Sequence, residues 1–463
     1  MPKRKLKEIS KQSLATLLEK RLRLRLNFVS LVVRLHHLFG TFPDCRRGSN
    51  QSKEFNDAAM GAFALFYTQS PSFLSYQKLM RDSEGMDNAQ SMFGINELLS
   101  DNHIRNLMDE VPAQRIFPFF LQLYDDLKQS GYMEAFRSYK DNLLLGIDGT
   151  QYFSSKKICC ESCCQRRLVN EKSQKVTITH HHSVVMAAFV HAEHGQVISL
   201  PPEFIIQQDG TEKQDCELNA TRRWLSQYGE RIAADGVTIL GDDLYCHDDF
   251  CQQLLTYGFD FILSCKPTSH LTLYEYVKLL EDQIVCKEHR YWTGRRWLVD
   301  KSRYLNGVPL RDSKDALEVN WFEPSTVVEE TGEVIFHNTW ATNLKLTKDN
   351  IDQLVVDARA RWKIENENNN VLKTKGYHLE HNFGHGKKYL SQVFLTFNIL
   401  AFLIHTIQEL VDAKFQRLYK AIGNRKTFFN DIKTLTRYMY FSSWENLLIF
   451  MLKGLKLPIP DSS

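Results

Sequence analysis

Three acidic residues stand where phosphate chemistry could be done. Asp148 follows the apolar run Leu143-Leu144-Leu145-Gly146-Ile147, and Asp242 follows Val237-Thr238-Ile239-Leu240-Gly241. Glu365 closes Arg361-Trp362-Lys363-Ile364-Glu365. Two carboxylates at the ends of buried strands and a third on a late helix can converge on one point and hold two divalent metal ions. Phosphodiester cleavage needs an activated water or hydroxyl on one side of phosphorus and a stabilised leaving oxygen on the other, and two such ions serve both needs. Magnesium takes oxygen ligands and keeps part of its water, so two or three carboxylates suffice, and manganese accepts the same donors. Each acid also has a plainer explanation. Asp148-Gly149 is a turn pair, Asp242 and Asp243 can cap the helix that starts near His247, and Glu365 can be a solvated residue on a polar helix face.

The elements that must position these acids follow from periodicity. Residues 1–135 read as mainly helical, with helical apolar spacing over 14–38 and 116–127 and an exposed loop over 42–52. From 136 to 265 the pattern becomes strands at 142–153, 177–190 and 196–200, a helix at 215–233, a strand at 237–240, a helix at 247–257 and a strand at 259–265. That order predicts an α/β fold with a mixed sheet flanked by helices, and it sets acids at the sheet rim where open α/β folds place their sites. Residues 266–345 break the rhythm and read as a mostly β insertion, with a last strand over 339–346. Helix resumes over 346–412, and a helical C-terminal region covers 413–463.

Composition permits this reading without demanding it. The chain has 463 residues, 43% of them hydrophobic, enough for a large core, and its 58 Lys and Arg against 55 acids leave a net charge of only +3. Affinity for nucleic acid must therefore come from local patches. The clearest is Lys3, Arg4, Lys5, Lys7, Lys11, Lys20, Arg21, Arg23 and Arg25, either a solvated basic helix or a phosphate contact. Ten cysteines in this length do not make a disulfide scaffold; with no secretory signal expected, they point to a reducing cytosol. The apolar stretch 389–410 is interrupted by Gln392, Thr396, Asn398, His405 and Gln408, and reads as a buried helix, with no membrane partner.

Two clusters carry further chemistry. Cys160-Glu161-Ser162-Cys163 is a Cys-x2-Cys knuckle that can hold structural zinc, with His180, His181, His182 and Cys216 as completing ligands, or be a loop of reduced cysteines. Trp292, Arg295, Arg296 and Trp297 lie together in the insertion; one Trp can pack into the core, and aromatics interleaved with arginines also suit stacking on an unpaired base and gripping phosphate. His378, His381 and His385 read as a polar loop over the active site rather than a metal site.

Taken together, the blocks Gly146-Ile147-Asp148-Gly149-Thr150, Leu240-Gly241-Asp242-Asp243-Leu244-Tyr245 and Arg361-Trp362-Lys363-Ile364-Glu365 resemble the DDE transposases of bacterial insertion sequences. The likeness is to the group with a β insertion before the catalytic Glu and a Tyr-Arg-Glu-Lys signature, and the segment 376–386 resembles one branch of it. The resemblance covers about residues 140–400. It implies an RNase H-like core with Asp148, Asp242 and Glu365 as metal ligands for two magnesium ions. It also implies Arg361 and Lys373 on phosphate, Tyr245 as a DNA-binding residue whose spacing, three after the Asp, favours Asp242 over Asp243 as the ligand, and a base flipped from the element's end against Trp292 or Trp297. The basic N-terminal region would bind DNA ends. Partners would be the terminal inverted repeats and target DNA, met as a homodimer in the bacterial cytoplasm at the nucleoid. Two features depart from the family pattern: Ala358 stands where the signature Tyr would fall, and Lys373 comes eight residues after Glu365 instead of seven, which keeps Glu367 open as the third ligand. A non-enzymatic DNA-binding protein derived from a transposase, or a metal-dependent nuclease of the same fold, are the alternatives.

Overall fold

The computed structural model describes residues 25–46, 54–81, 84–169, 176–206 and 216–460. Most of the basic N-terminal patch lies outside the described residues; Arg25, its last member, sits 3.2 Å from Asp126.

Among the described residues twelve strands form one mixed sheet. Its centre is β1 (Leu143–Ser155), β6 (Val237–Gly241) and β7 (Asp260–Ser264), paired parallel in the order β1-β6-β7. Every residue of β6 is buried, as expected of a strand covered on both faces. On the other side of β1 runs the antiparallel β3 (Val176–Val190). That strand pairs in turn with β2 (Cys164–Val169) near its start and with β4 (Ile198–Ser199) and β5 (Glu203–Ile205) further along. Both β1 and β3 are longer than the sequence pattern predicted, and β2 falls where only a knuckle was expected.

The insertion is not a separate sheet. Its strands β8 (Val285–Trp292), β9 (Trp297–Pro309), β10 (Glu318–Val328) and β11 (Val334–His337) lead into β12 (Trp340–Thr342), which pairs antiparallel with β7 through Trp340 opposite Ser264. Thr342 is fully buried and its hydroxyl donates to the Phe261 carbonyl across this seam.

Helices flank the sheet, and the longest, Leu390–Val411, is long and apolar enough to cross a membrane by length and composition, yet 94% of its apolar window is buried inside the fold. Three of its interrupting polar residues find one partner each there: Asn398 donates to the Tyr377 carbonyl, Tyr67 to Gln408 Oε1, and His405 shares a 2.7 Å hydrogen bond with the Tyr377 hydroxyl. Phe63 and Phe39 of the N-terminal helices pack edge-on against Phe397, and Phe28 packs at a tilt against Trp444, so early and late helices share one core around this element.

Candidate active site

The site forms where the parallel pairing of β1 and β6 runs out. Gly146 lies opposite Leu240, and extending that register by two residues sets Asp148 opposite Asp242 on strands about 4.8 Å apart. Asp148 is not in a turn, as its glycine neighbour allowed; β1 continues through it, with Asp148 paired to Met186 and Gly149 to Val185. Asp242 ends its strand and accepts the Leu244 N–H at 2.9 Å, which caps the short helix Asp243–Tyr245 and fixes its own rotamer.

The third acid arrives on an irregular turn. After helix Ile351–Arg359 the chain enters a π-helical segment, Ile364–Asn369. A side chain at position 146 would put its Cβ 3.0 Å from Ile364 Cβ, so glycine there lets the turn lie against β1. The same turn sends Asn369 back to the strand, where its amide donates to Asp148 Oδ2 at 2.7 Å. Asn369 is itself held by the buried Asn368, which accepts from Ser199. Glu365 is paired with Arg361 one turn earlier.

A π turn takes about one residue more than the 3.6 of an α turn, so the eight residues from Glu365 to Lys373, which run through it, cover what about seven cover in an unbroken helix. The Lys373 Nζ lies 3.2 Å from Glu380. The position expected for the signature tyrosine stays apolar, since Ala358 is buried.

The acids act on one another. Asp148 is pushed up to about 7, first by burial and then by the charges of Glu217, Glu365 and Asp242, against the opposing pull of Arg361. Glu365 is thus the acid of the π turn whose charge weighs on Asp148. Glu217 is a fourth carboxylate that sequence reasoning missed. It opens helix Glu217–Ala233, accepts the Gly149 N–H at 2.9 Å and the Tyr245 hydroxyl at 2.7 Å, and is raised by burial. Its oxygen fills the space where a Cβ on residue 149 would stand, so a side chain there would push the Glu217 carboxylate out of this position. An acid in a first helical turn is ordinary, and nothing in the spacing marked this one.

Tyr245 requires a correction. Expected beside Arg361 and Lys373 on the DNA side, it is 1% exposed, its hydroxyl is engaged by Glu217 and Thr221, and it braces the site from inside. Trp292 and Trp297 form the last pair of the β8–β9 hairpin, with Arg295 and Arg296 exposed at its tip. Neither Trp is core: Trp292 is 51% exposed, Trp297 is half-buried under the Arg290 guanidinium at 3.8 Å, and the two rings lie 5.4 Å apart. Trp224, Trp321 and Trp340 fill the interior instead.

Cys160 and Cys163 gather two histidines. His182 and His385 bring all four ligand atoms within 4.8 Å of one another. Of the completing ligands named from sequence, only His182 takes part; His180, His181 and Cys216 are not in the group, and His385, read as a loop histidine, is. Burial raises the thiols of Cys160 and Cys163 and lowers His182 and His385.

No family model matches the chain, and no curated protein matches it.

Proposed function

We propose that the protein is a DNA transposase that cleaves the ends of a mobile element and joins them to target DNA, with Asp148, Asp242 and Glu365 as ligands for two magnesium ions. The observation that carries this reading is the convergence of carboxylates on Asp148 from three further elements, a concentration of negative charge that Arg361 opposes. Hard oxygen donors at such density suit a hard divalent cation. The strand order β4/β5-β3-β1-β6-β7, with β3 antiparallel and β6 and β7 parallel to β1, supports an RNase H-like core.

Bound magnesium would polarise the scissile phosphate, activate the attacking water or 3′ hydroxyl and stabilise the leaving oxygen. The chain's own groups set the stage. Asn369 holds Asp148 by one oxygen, the Leu244 N–H holds Asp242, and Arg361 orients Glu365. Glu217 locks the backbone after Asp148 to the helical turn after Asp242 through Tyr245. A groove of about 480 Å³ between the insertion and the catalytic helix is lined by Arg359, Trp362, Lys287 and Lys301 along with Asp300 and Asp352, and its size suits a nucleic-acid strand. The exposed Trp292, Arg295 and Arg296 offer a stacking face and phosphate contacts.

The test is a strand-transfer assay with pre-cleaved DNA ends taken from the sequence flanking the coding region, with magnesium and a plasmid target. Joined products that disappear in Asp148→Asn support the proposal. Cutting without joining makes the protein a nuclease, binding without either makes it a DNA-binding protein, and wild-type rates in the Asp148→Asn variant overturn the site.

A further inference from the structure

We propose that Cys160, Cys163, His182 and His385 hold one zinc ion, and that this ion ties the β1–β3 ribbon to the chain that follows the catalytic helix. The geometry is the first argument. Cys160 Sγ lies 3.8 Å from Cys163 Sγ and 3.5 Å from His182 Nε2, while Cys163 Sγ is 3.4 Å from His182 Nε2 and 3.4 Å from His385 Nε2. A tetrahedron with Zn–S of about 2.3 Å and Zn–N of about 2.0 Å has edges of about 3.3 to 3.8 Å, which these four separations match, and all four ligand atoms lie within 4.8 Å of one another. The sulfurs are too far apart for a disulfide, which needs about 2.05 Å.

Donor chemistry is the second. Two sulfurs and two imidazole nitrogens are a soft, closed set suited to structural zinc, and unlike the oxygen donors at Asp148 they leave no position for a substrate. The Cys160 N–H donates to Cys163 Sγ at 3.4 Å, a bond that favours the thiolate a metal requires.

Connectivity gives the ion its role. The ligands come from the knuckle, from β3 and from a loop some 220 residues further on, the Cys163–His385 separation being 222. Just past His385, the Asp109 carboxylate accepts the backbone N–H groups of Lys387, Lys388, Tyr389 and Leu390. The segment entering the long helix Leu390–Val411 is therefore held at one end by Asp109 and at the other by the metal. This proposal does not depend on what the acids do.

Full-length protein purified without a metal-affinity step should contain one zinc per chain by elemental mass spectrometry. Cys163→Ser and His385→Ala should lose it, while His181→Ala and Asp148→Asn should keep it. Cobalt substitution of the wild type should give the strong ligand-field bands of a tetrahedral site with thiolate charge transfer, and His385→Cys should keep the metal and intensify the charge transfer. Chelation should expose residues 385–390 to protease. Wild-type protein without zinc after growth in zinc-supplemented medium, full occupancy in His385→Ala, or an octahedral cobalt spectrum would each overturn the proposal. Should Cys163→Ser fail to fold, the wild-type and His385→Cys cobalt spectra decide the matter.

Discussion

The acidic site and the Cys/His cluster both sit on β1 or its neighbour β3, and they are built on opposite principles. At Asp148 hard donors crowd together, repel one another and are kept in place by hydrogen bonds from Asn369, Leu244 and Gly149. At Cys163 soft donors stand at ligand spacing, with the His182 and His385 rings packed against Tyr152 and Phe153. If the proposals above hold, a cation would relieve the repulsion of the first arrangement at the moment of use, whereas the second would be complete only with a resident ion. The two sites should therefore fail separately and select different metals.

The strongest break in this comparison is Asp148→Asn. Strand transfer should fall by at least about 10³-fold, equivalent to about 4 kcal/mol of barrier, with zinc content unchanged. Loss of zinc with loss of activity would show the sites to be one unit. Next, Glu365→Gln should cost nearly as much while Glu367→Gln costs less than about tenfold in the same assay; the reverse order would move the third ligand to Glu367. Glu217→Gln keeps a hydrogen-bond acceptor for Gly149 but loses charge, and should slow strand transfer by about 10- to 100-fold with DNA affinity unaltered in a gel-shift titration. Trp292→Ala should weaken capture of a DNA end by about 1–3 kcal/mol and leave cleavage of a saturated complex intact, as read by fluorescence anisotropy alongside single-turnover cleavage.

The smallest effect is on stability, and its sign runs opposite to that on activity. Asp148 ionises near 3.8 when unfolded and near 7 in the fold, so the unfolded chain sheds its proton first as pH rises. The fold is least penalised below about pH 4 and bears the full cost above pH 7. Metal-free Asp148→Asn should thus be more stable than the wild type by on the order of 1–3 kcal/mol at pH 8, with no difference near pH 4, in urea unfolding. Magnesium should shrink that gap.

How much of this was legible depends on the period of the signal. Asp148 and Asp242 could be picked out because each follows an apolar run of strand length, and β6 and β7 fall within a residue or so of their expected limits. Glu365 looked out of frame because a helix was assumed to keep 3.6 residues per turn, and the π segment has no apolar period of its own to announce it. Glu217 was hidden by the ordinariness of an acid that starts a helix. Tyr245 was misplaced because an aromatic near a carboxylate reads the same from either side of a surface. His385 joined the cysteines only through tertiary contact across a separation of 222 residues, which local pattern cannot reveal.

One consequence of the seam between β7 and β12 is mechanical. Because Trp340 and Thr342 continue the same hydrogen-bonded ladder that carries Asp242, the hairpin that ends at Trp292 is joined to the acids through continuous strand pairing rather than through a loop. On the function proposed above, the tip and the carboxylates would act like the jaws of a gauge, and a DNA end held at one would have to bend or unstack to reach the other, which would favour easily distorted steps next to the cut.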